Sequence, residues 1–331
     1  MREELGRTVA KGVLDHDRVR GLIENAAAAP SSHNTQPWHF RIETNGVSIH
    51  ADTERRLPVN DPADRELTIS CGCALMNLRV AAAAAGQAYR LELLPEGEGA
   101  ACLARVTWQE GDADAEEASL GSVLARRRTY RKQFAPSTVP REASEALEAM
   151  AEREGAWLQV IESGEPRWEV ARLVAEGDAS QWRDPRWREE LADWMRPVRQ
   201  RDGLSVPALL APVVRAVVRK FDMSRRVGKH DRELTENAPL LVALGTEGDG
   251  RRDWLKAGLA LERVLLAACQ VGMQASYLNQ PIQVSSLRDQ LHTVLNRPGH
   301  PQVLLRLGYP PGELPATPRR PLADLMLPVR D

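Results

Sequence analysis

The sequence lacks the features that direct a chain to a membrane, an oxidising compartment or a nucleic acid. Its first residues, MREELGRTVAKG, contain no apolar segment typical of a signal peptide. No uninterrupted apolar run approaches the roughly 18 residues of a membrane span. The net charge is -2, from 44 basic and 46 acidic residues, so no basic excess favours a nucleic acid as the main partner. We therefore expect a cytoplasmic protein whose partners include neither a membrane nor a nucleic acid.

Cysteine is also scarce, which argues against disulfide or zinc frameworks. The four cysteines, Cys71, Cys73, Cys102 and Cys269, form no paired CxxC motifs, and no histidine cluster has zinc-site spacing. Cys71 and Cys73 lie two residues apart in a segment predicted to be helical, so their side chains point to different sides. We expect buried, unreactive thiols and no metal site. Metal or redox chemistry at these thiols is the less favoured alternative.

The 331 residues, 43% of them apolar, suffice for one large domain or two ordinary ones. Local patterns predict a helix at 17–29, strands at 38–43 and 47–52, a long helix at 62–85, and strands at 88–94 and 102–108. The Asn45-Gly46 pair is a typical hairpin signal. The acidic stretch QEGDADAEEAS, at 109–119, indicates an exposed linker.

The second half repeats features of the first half in the same order, as in a fused dimer. A Trp-x3-Ile-Glu motif begins at Trp38 and again at Trp157, and a Gly-x13-Gly segment follows at 72–86 and at 258–272. The two Gly-x13-Gly segments are apolar on most sides, which favours central helices that approach each other closely. We predict two halves, 1–115 and 116–331, with a site at their interface.

The distance from tryptophan to glycine is much longer in the second half, which indicates a helical insert at about 178–228. Within it, Trp187, Leu191 and Trp194 share one helical face. A helical excursion packed over the rest of the protein is favoured, and long inserts of this kind are often lids. A membrane-surface helix is the alternative, although prolines interrupt the apolar, basic part of the segment.

The stretch APSSHNTQPW contains six consecutive polar side chains between two stiff prolines. After Pro30, the side chains of Ser31, Ser32 and Asn34 offer donors and acceptors that suit the polar edge of a heterocycle. A surface turn rich in serine and asparagine is the alternative. His33 has no evident nucleophile or acid partner, so we expect a structural role for it and assign no catalytic side chain.

A basic run in LARRRTYRKQF is a candidate anion receptor, because guanidinium groups bind phosphate with paired hydrogen bonds. The residues concerned are Arg127, Arg128, Thr129 and Arg131. A solvated basic helix end is the alternative. The tail segment TPRRPL adds Arg319 and Arg320 between two prolines.

These pieces together resemble the nitroreductase family of flavoproteins, and specifically its fused, single-chain Acg-type branch. The matching features are APSSHNTQPW, RRTYR, the two Gly-x13-Gly helices and the tail LLRLGYPPGELPATPRRPLADLM, so the resemblance spans nearly the whole chain. It implies an α+β, nitroreductase-like fold. Two tandem half-domains would form an intrachain pseudo-dimer around mixed sheets and central long helices, with the helical insert as a lid in the second half.

The resemblance also implies one FMN per chain, with the polar loop at the flavin ring and the basic residues at the phosphate. It assigns to the cofactor Pro30, Ser31, Ser32, Asn34, Arg127, Arg128, Thr129, Arg131, Asn279, Gln280, Arg319 and Arg320. Asn279 and Gln280 stand where many relatives have an acidic residue and a glycine. Only one of the two pseudo-equivalent sites keeps its parts, because the first half has no RRTxR run before its helix and the second has no PSSxN loop before Trp157.

The implied activity is that of an FMN-dependent oxidoreductase in which the flavin carries the chemistry. Electrons would pass from NAD(P)H, as co-substrate, to a small acceptor such as a nitroaromatic or a quinone. The first alternative is an FMN-binding or sequestering protein whose lid-covered pocket gives little turnover. A third possibility is a structural or interaction protein without a cofactor. The fused chain would be either a monomeric pseudo-dimer or a homodimer of fused chains.

Overall fold

The computed structural model describes residues 14–312 and 314–328. The stretch MREELGRTVAKG, in which we expect no signal peptide, lies outside the described residues. The helices are α1 His16–Ala26, α2 Arg65–Ala84, α3 Ala115–Leu120, α4 Arg141–Glu152, α5 Glu165–Arg183, α6 Pro185–Trp194, α7 Ala211–Lys220, α8 Ser224–Glu236, α9 Arg251–Gln270, α10 Gln280–Gln283 and α11 Ser285–Leu295. The strands are β1 Trp38–Glu43, β2 Gly46–Ala51, β3 Ala88–Leu93, β4 Cys102–Gln109, β5 Trp157–Val160, β6 Met195–Pro197, β7 Leu204–Val206, β8 Leu240–Thr246, β9 Gln274–Tyr277 and β10 His300–Gly308.

Two four-stranded sheets share one topology. Their strand orders are β1-β2-β4-β3 and β5-β8-β10-β9, and neighbouring strands in both are antiparallel. In each sheet a long helix joins the second and third strands in chain order, and a shorter helix precedes the first. Parallel bridges from Met326 to Phe40 and from Thr129 to Ala275 extend both sheets at an edge and make them mixed. The fold is α+β, as predicted.

The long helices α2 and α9 cross at two glycines. A Cβ atom on Gly72 would lie 2.8 Å from the Cα of Gly258, and one on Gly258 would lie 2.1 Å from the Ile69 carbonyl oxygen. Any larger residue would push the backbones apart, so the crossing depends on glycine at both positions. Gly86 and Gly272 follow the two helix ends with φ of +75° and +82°, the left-handed geometry that ends a helix.

Helix α2 lies in the core of the molecule. By length and composition alone it could cross a membrane, but 89% of its apolar window is buried inside the protein. Its Cys71 and Cys73 are buried, as are Cys102 and Cys269, and none of the four is in a disulfide bond. Burial raises the pKa of the Cys71 and Cys73 thiols, so the thiolate forms needed for metal binding or redox attack are disfavoured.

The acidic segment at 109–119 is not wholly an exposed linker, so that prediction is wrong for its second part. Residues from Ala115 onwards form α3, and the side chain of Glu117 is only 2% exposed. The Glu117 carboxylate accepts a hydrogen bond from Arg263 Nη2 at 2.6 Å and also pairs with Arg79. Two buried guanidinium groups compensate its charge, which the composition of the segment did not reveal.

The insert occupies the whole connection between Val160 and Leu240 and comprises α5, α6, β6, β7, α7 and α8, so it extends beyond 178–228 on both sides. It has a small core of its own in which Trp182, Trp187 and Leu191 pack together. The tryptophan face predicted for this segment therefore points inward, and the insert packs on the rest of the protein. The predicted boundary at 115/116 falls at the start of α3, between the two sheets.

Candidate functional site

A cavity of about 410 Å³ lies where the two halves, the insert and the C-terminal tail meet. Its volume is within the range of small-molecule sites. Ten of the twelve residues predicted to hold the cofactor line it: Pro30, Ser31, Ser32, Asn34, Arg127, Thr129, Arg131, Asn279, Gln280 and Arg319. Arg128 and Arg320 do not line it. Apolar side chains from α2, α9 and the sheet of the second half, including Ile69, Leu261 and Val303, complete its walls.

The polar loop has unusual backbone geometry. It contains a short 3-10 turn, Ser32–Asn34, and His33, Asn34 and Gln36 adopt left-handed φ angles of 51°, 55° and 52°. Such angles are costly for residues other than glycine and concentrate at functional sites. The Gln36 backbone N–H donates to Ser31 Oγ at 2.9 Å and fixes the turn. Burial lowers the pKa of His33 to about 4, so its imidazole is neutral at physiological pH.

Most side chains of the loop form hydrogen bonds to other parts of the chain. Fewer of them than predicted are therefore left to contact a heterocycle. Ser32 Oγ donates to Glu66 Oε2 at 2.6 Å. Asn34 Nδ2 donates to the carbonyl oxygens of Gly203 and Pro318, both at 3.3 Å. Asn34 therefore fastens the insert and the tail to the loop. No sequence pattern indicated that these distant carbonyl groups approach Asn34.

Arg127 is the central group of the basic wall. It is 4% exposed, its Nε lies 3.1 Å from Glu262 Oε1 without hydrogen-bond alignment, and its Nη2 donates to the Ala28 carbonyl at 3.1 Å. Among the described residues, Arg127 Nη1 is buried without a hydrogen-bond partner. Burial raises the pKa of Glu262 to about 7, against the opposing effect of Arg127. A buried cation with an unsatisfied donor is suited to an anionic ligand.

Arg319 uses its guanidinium differently, to cap the end of α1. Its Nε donates to Ala27 O at 3.0 Å and its Nη2 to Ala28 O at 2.8 Å, while Nη1 contacts Asn34 Oδ1 at 3.2 Å. Burial, followed by repulsion from Arg127, lowers its pKa to about 9. Arg319 thus contributes positive charge to the cavity, but its donors are largely engaged.

Arg131 and Thr129 provide the remaining free groups of the basic wall. Within 14–312 and 314–328, no ion pair or side-chain hydrogen bond engages either residue, and both line the cavity. By contrast, Arg128 Nη1 donates to Arg127 O at 2.7 Å, and Arg320 Nη1 donates to Gln36 O at 3.0 Å. Arg128 and Arg320 therefore hold the backbone around the site.

The lining of the cavity also contains carboxylates that the sequence patterns did not single out. Glu66 accepts from Ser32 and also from Gln283 Nε2, the latter at 2.9 Å. Gln280 Nε2 donates to Asp231 Oδ2 at 2.9 Å and to Asp178 Oδ1 at 3.2 Å. Asn279 Oδ1 accepts from the Leu304 backbone N–H at 3.0 Å. No local motif marks these carboxylates, because the insert residues among them resemble ordinary solvated helix positions in the sequence.

The insert covers the cavity and is fastened to the first half. Trp187 Nε1 donates to Asn60 Oδ1 at 2.9 Å. Glu190 accepts from the backbone N–H groups of Val59 and Asn60, both at 2.9 Å. Asp202, in the turn before β7, pairs with Arg55. The cover is thus held by directional hydrogen bonds as well as by apolar packing.

The chain is similar over nearly its full length to mycobacterial proteins. The provisionally named NAD(P)H nitroreductase Rv3131 of Mycobacterium tuberculosis is 30% identical over 323 residues, which cover 94% of this chain and 92% of Rv3131. The chain belongs to the nitroreductase family. The resemblance drawn from its motifs is thereby confirmed.

Two further comparisons concern the same family. The provisionally named NAD(P)H nitroreductase acg of Mycobacterium tuberculosis is 28% identical over 317 residues, which cover 93% of this nitroreductase-family chain and 95% of acg. A solved structure, the FMN-dependent nitroreductase NfnB from Mycobacterium smegmatis in complex with NADPH, is 19% identical. The match covers 64% of this chain and 99% of NfnB, with a TM-score of 0.43. No protein-family profile matches the chain.

Proposed function

We propose that this chain binds FMN in the cavity between its halves and transfers electrons from NAD(P)H to a small acceptor. The observation that carries the proposal is the convergence of the polar loop of the first half and the basic run of the second on one cavity. Family membership supports it, since the full-length relatives Rv3131 and acg are named as NAD(P)H nitroreductases.

The side chains present fit FMN. Arg127 Nη1, an orphaned buried donor, together with Arg131 and the Thr129 hydroxyl, would hold the phosphate. Apolar residues such as Ile69 and Leu261 would contact the flavin ring. Ser31 Oγ accepts from Gln36 and keeps its hydroxyl proton for a polar edge of the ligand.

FMN, when bound, supplies the hydride and electron transfer for which the side chains have no equivalent. The residues of the chain bind and orient the cofactor and shield it from water. Arg127, Arg131 and Arg319 favour negative charge on the ligand by their positive field. Trp182 and Trp187 of the insert exclude water from the cavity that they line. A planar acceptor such as a nitroaromatic or a quinone suits a cavity with these aromatic and aliphatic walls.

An anaerobic titration tests this proposal. The visible absorption of the purified, FMN-loaded protein is followed while NADPH, NADH or dithionite is added. We expect a pyridine nucleotide to bleach the flavin stoichiometrically and a nitroaromatic or a quinone to restore its colour. A protein that takes up no FMN would contradict the proposal. A protein whose flavin responds to dithionite alone would contradict its enzymatic part.

FMN sequestration is a second candidate function, which the fastening of the insert favours. Asn60 Oδ1 accepts a hydrogen bond from Trp187 Nε1, and the Asn60 backbone N–H donates to Glu190. Two hydrogen bonds therefore hold the insert to this cavity-lining residue. If the insert keeps nicotinamide away from the flavin, the chain binds FMN but does not catalyse electron transfer. Bleaching by dithionite but not by NADPH or NADH would establish this function in place of the first.

A further inference from the structure

The insert gives the cavity an acidic wall that is separate from the proposed phosphate site. Asp178 on α5 and Asp231 on α8 both line the cavity. The Gln280 side chain lies between them, with Nε2 donating to Asp178 Oδ1 at 3.2 Å and to Asp231 Oδ2 at 2.9 Å. A Cβ on Gly177 would lie 2.6 Å from the Cβ of Gln280, so α5 approaches this residue as closely as glycine permits.

Two hydrogen-bond acceptors in this wall lack donors. Asp178 is 3% exposed, and no described residue donates to its buried Oδ2 or to the buried Oε1 of Gln280. Buried acceptors are normally satisfied by protein, water or ligand. Because Gln280 Nε2 already donates to both carboxylates, donors for Asp178 Oδ2 and Gln280 Oε1 have to come from a molecule in the cavity.

The wall contains two carboxyl groups whose ionisation is opposed by burial. Burial, followed by repulsion from Asp231, raises the pKa of Asp178 to about 7, and burial also raises the pKa of Asp231. His230, followed by Arg306, opposes the effect of burial on Asp231, and Arg306 is 2% exposed and lines the cavity. Its Nη1 is committed to the Lys132 carbonyl at 2.8 Å, and its guanidinium stacks on the Phe134 ring at 4.9 Å. A cationic ligand beside these two carboxyl groups would favour their charged forms and compensate the cost of burying them.

Aromatic rings adjoin the carboxylates. Trp182 and Trp187, which are 6% and 9% exposed, pack edge to face with ring centroids 5.5 Å apart, and both line the cavity. Indole rings bind planar molecules by stacking and attract cations to their faces. The combination of carboxylates and indoles therefore suits one chemical class, planar molecules with a positively charged nitrogen.

We propose that this wall, formed by Asp178, Asp231, Gln280, Trp182 and Trp187, is the acceptor subsite and selects planar molecules that carry an ammonium or another cationic N–H group. An ammonium has three N–H donors, enough for both unsatisfied acceptors, whereas a hydroxyl has one. A carboxylate on the ligand would be repelled. The role as electron acceptor rests on the proposed function, but the preference for a cation does not require turnover.

Calorimetric titration with three probes of the same ring tests the subsite. Benzylammonium, benzyl alcohol and benzoate are not reduced by flavins, so they report binding alone. We expect benzylammonium to bind at least tenfold more tightly than benzyl alcohol, and benzoate to bind most weakly. Equal affinity of the wild-type protein for benzylammonium and benzyl alcohol would overturn the proposal.

Variants then locate the preference. Asp178→Asn and Asp231→Asn should each weaken benzylammonium binding several-fold, and the double variant at least tenfold, with benzyl alcohol changed less than twofold. Glu169→Gln is the matched control, since Glu169 lies on the same helix and pairs at the surface with Arg172. Thermal unfolding verifies that each variant is folded. An ammonium preference that is undiminished in the folded double variant would also overturn the proposal.

The two proposals fail in different ways. If NADPH and NADH leave the bound flavin oxidised while benzylammonium still binds selectively, the oxidoreductase function is wrong and the cation site stands. If the flavin turns over but cationic and neutral nitroaromatics are reduced with equal kcat/KM and bind equally, the subsite is wrong and the oxidoreductase function stands.

Discussion

At the scale of single residues, only some arginines of the proposed FMN site have guanidinium donors left for a ligand. Arg319 is engaged with the end of α1, and Arg127 shares its charge with the buried Glu262. Arg131 and one nitrogen of Arg127 remain for a phosphate. Removing Arg127 alone would leave Glu262 buried without its cation, which destabilises folding for reasons unrelated to the ligand. A binding test therefore has to remove the pair together.

Arg131→Ala, and separately the double variant Arg127→Ala with Glu262→Gln, should lower FMN affinity by about tenfold or more, because each removes charge-assisted hydrogen bonds worth roughly 1.5–3 kcal/mol. Equilibrium dialysis with FMN measures the loss. Arg128→Ala is the control from the same run, and its affinity should stay within about threefold because it does not line the cavity. Wild-type affinity in both test variants would rule out the phosphate assignment.

The sequence predicted those residues whose chemistry is concentrated in short runs. The basic run and the polar loop were recognisable because several donors stand side by side. Glu66, Asp178 and Asp231 were not recognisable, because each stands among other acidic residues in the sequence and only the tertiary packing places it at the cavity. Arg128 and Arg320 look identical to their neighbours in the sequence, but their side chains point to backbone carbonyls.

At the scale of elements, the crossing of α2 and α9 fixes the distance between the two halves. Gly258 faces the Ile69 carbonyl and Gly72 across the contact, and no side chain fits between them. The Gly-x13-Gly spacing predicted this crossing, since glycine in an apolar helix is costly unless close packing compensates. By contrast, α3 could not be predicted, because the buried arginines that neutralise its glutamates come from α2 and α9.

Gly258→Ala should lower the free energy of unfolding by about 2–3 kcal/mol, because its Cβ would overlap backbone that has no room to move. Gly21→Ala is the matched control: Gly21 also lies within a helix, but nothing lies within 4 Å of an added Cβ. It should raise stability by about 0.5–1 kcal/mol. Urea unfolding of both variants measures the difference, and equal effects would contradict the close crossing.

The insert should control release of the cofactor. Glu190→Ala removes two hydrogen bonds to the backbone of Val59 and Asn60, so FMN should dissociate several-fold faster, as measured by recovery of flavin fluorescence on dilution. Glu189→Ala is the control, since Glu189 pairs with Arg219 inside the insert. Identical dissociation rates in the two variants would remove the role of the insert as a cover.

At the scale of the whole molecule, the two halves repeat one topology but differ where a second site would lie. Asn77 and Arg263 hold matching positions after the crossing glycines. Asn77, in the amide orientation that satisfies its hydrogen bonds, accepts from the Ala29 backbone N–H at 3.1 Å beside the polar loop. Arg263 instead bonds Glu154 at 2.7 Å and Glu117 at 2.6 Å. A buried ion cluster therefore occupies the position in the second half that corresponds to the surroundings of Asn77 in the first half.

The repeat could be predicted from the order of glycines and tryptophans alone, because these two residue types have equivalent packing roles in the two halves. The expectation of a single FMN site draws only in part on the sequence. The sequence showed that the loop before Trp157 has no serines, whereas the ion cluster that joins α2, α3, α9 and the turn after α4 becomes visible only in the fold.

The most direct test of the account is the stoichiometry of FMN binding to the purified chain. Flavin absorption and protein concentration are determined after saturation with FMN and removal of the unbound cofactor, alongside the Arg127→Ala, Glu262→Gln double variant. The account predicts one FMN per wild-type chain and a largely empty double variant. Two FMN molecules per chain, none at all, or undiminished occupancy in the double variant would contradict it.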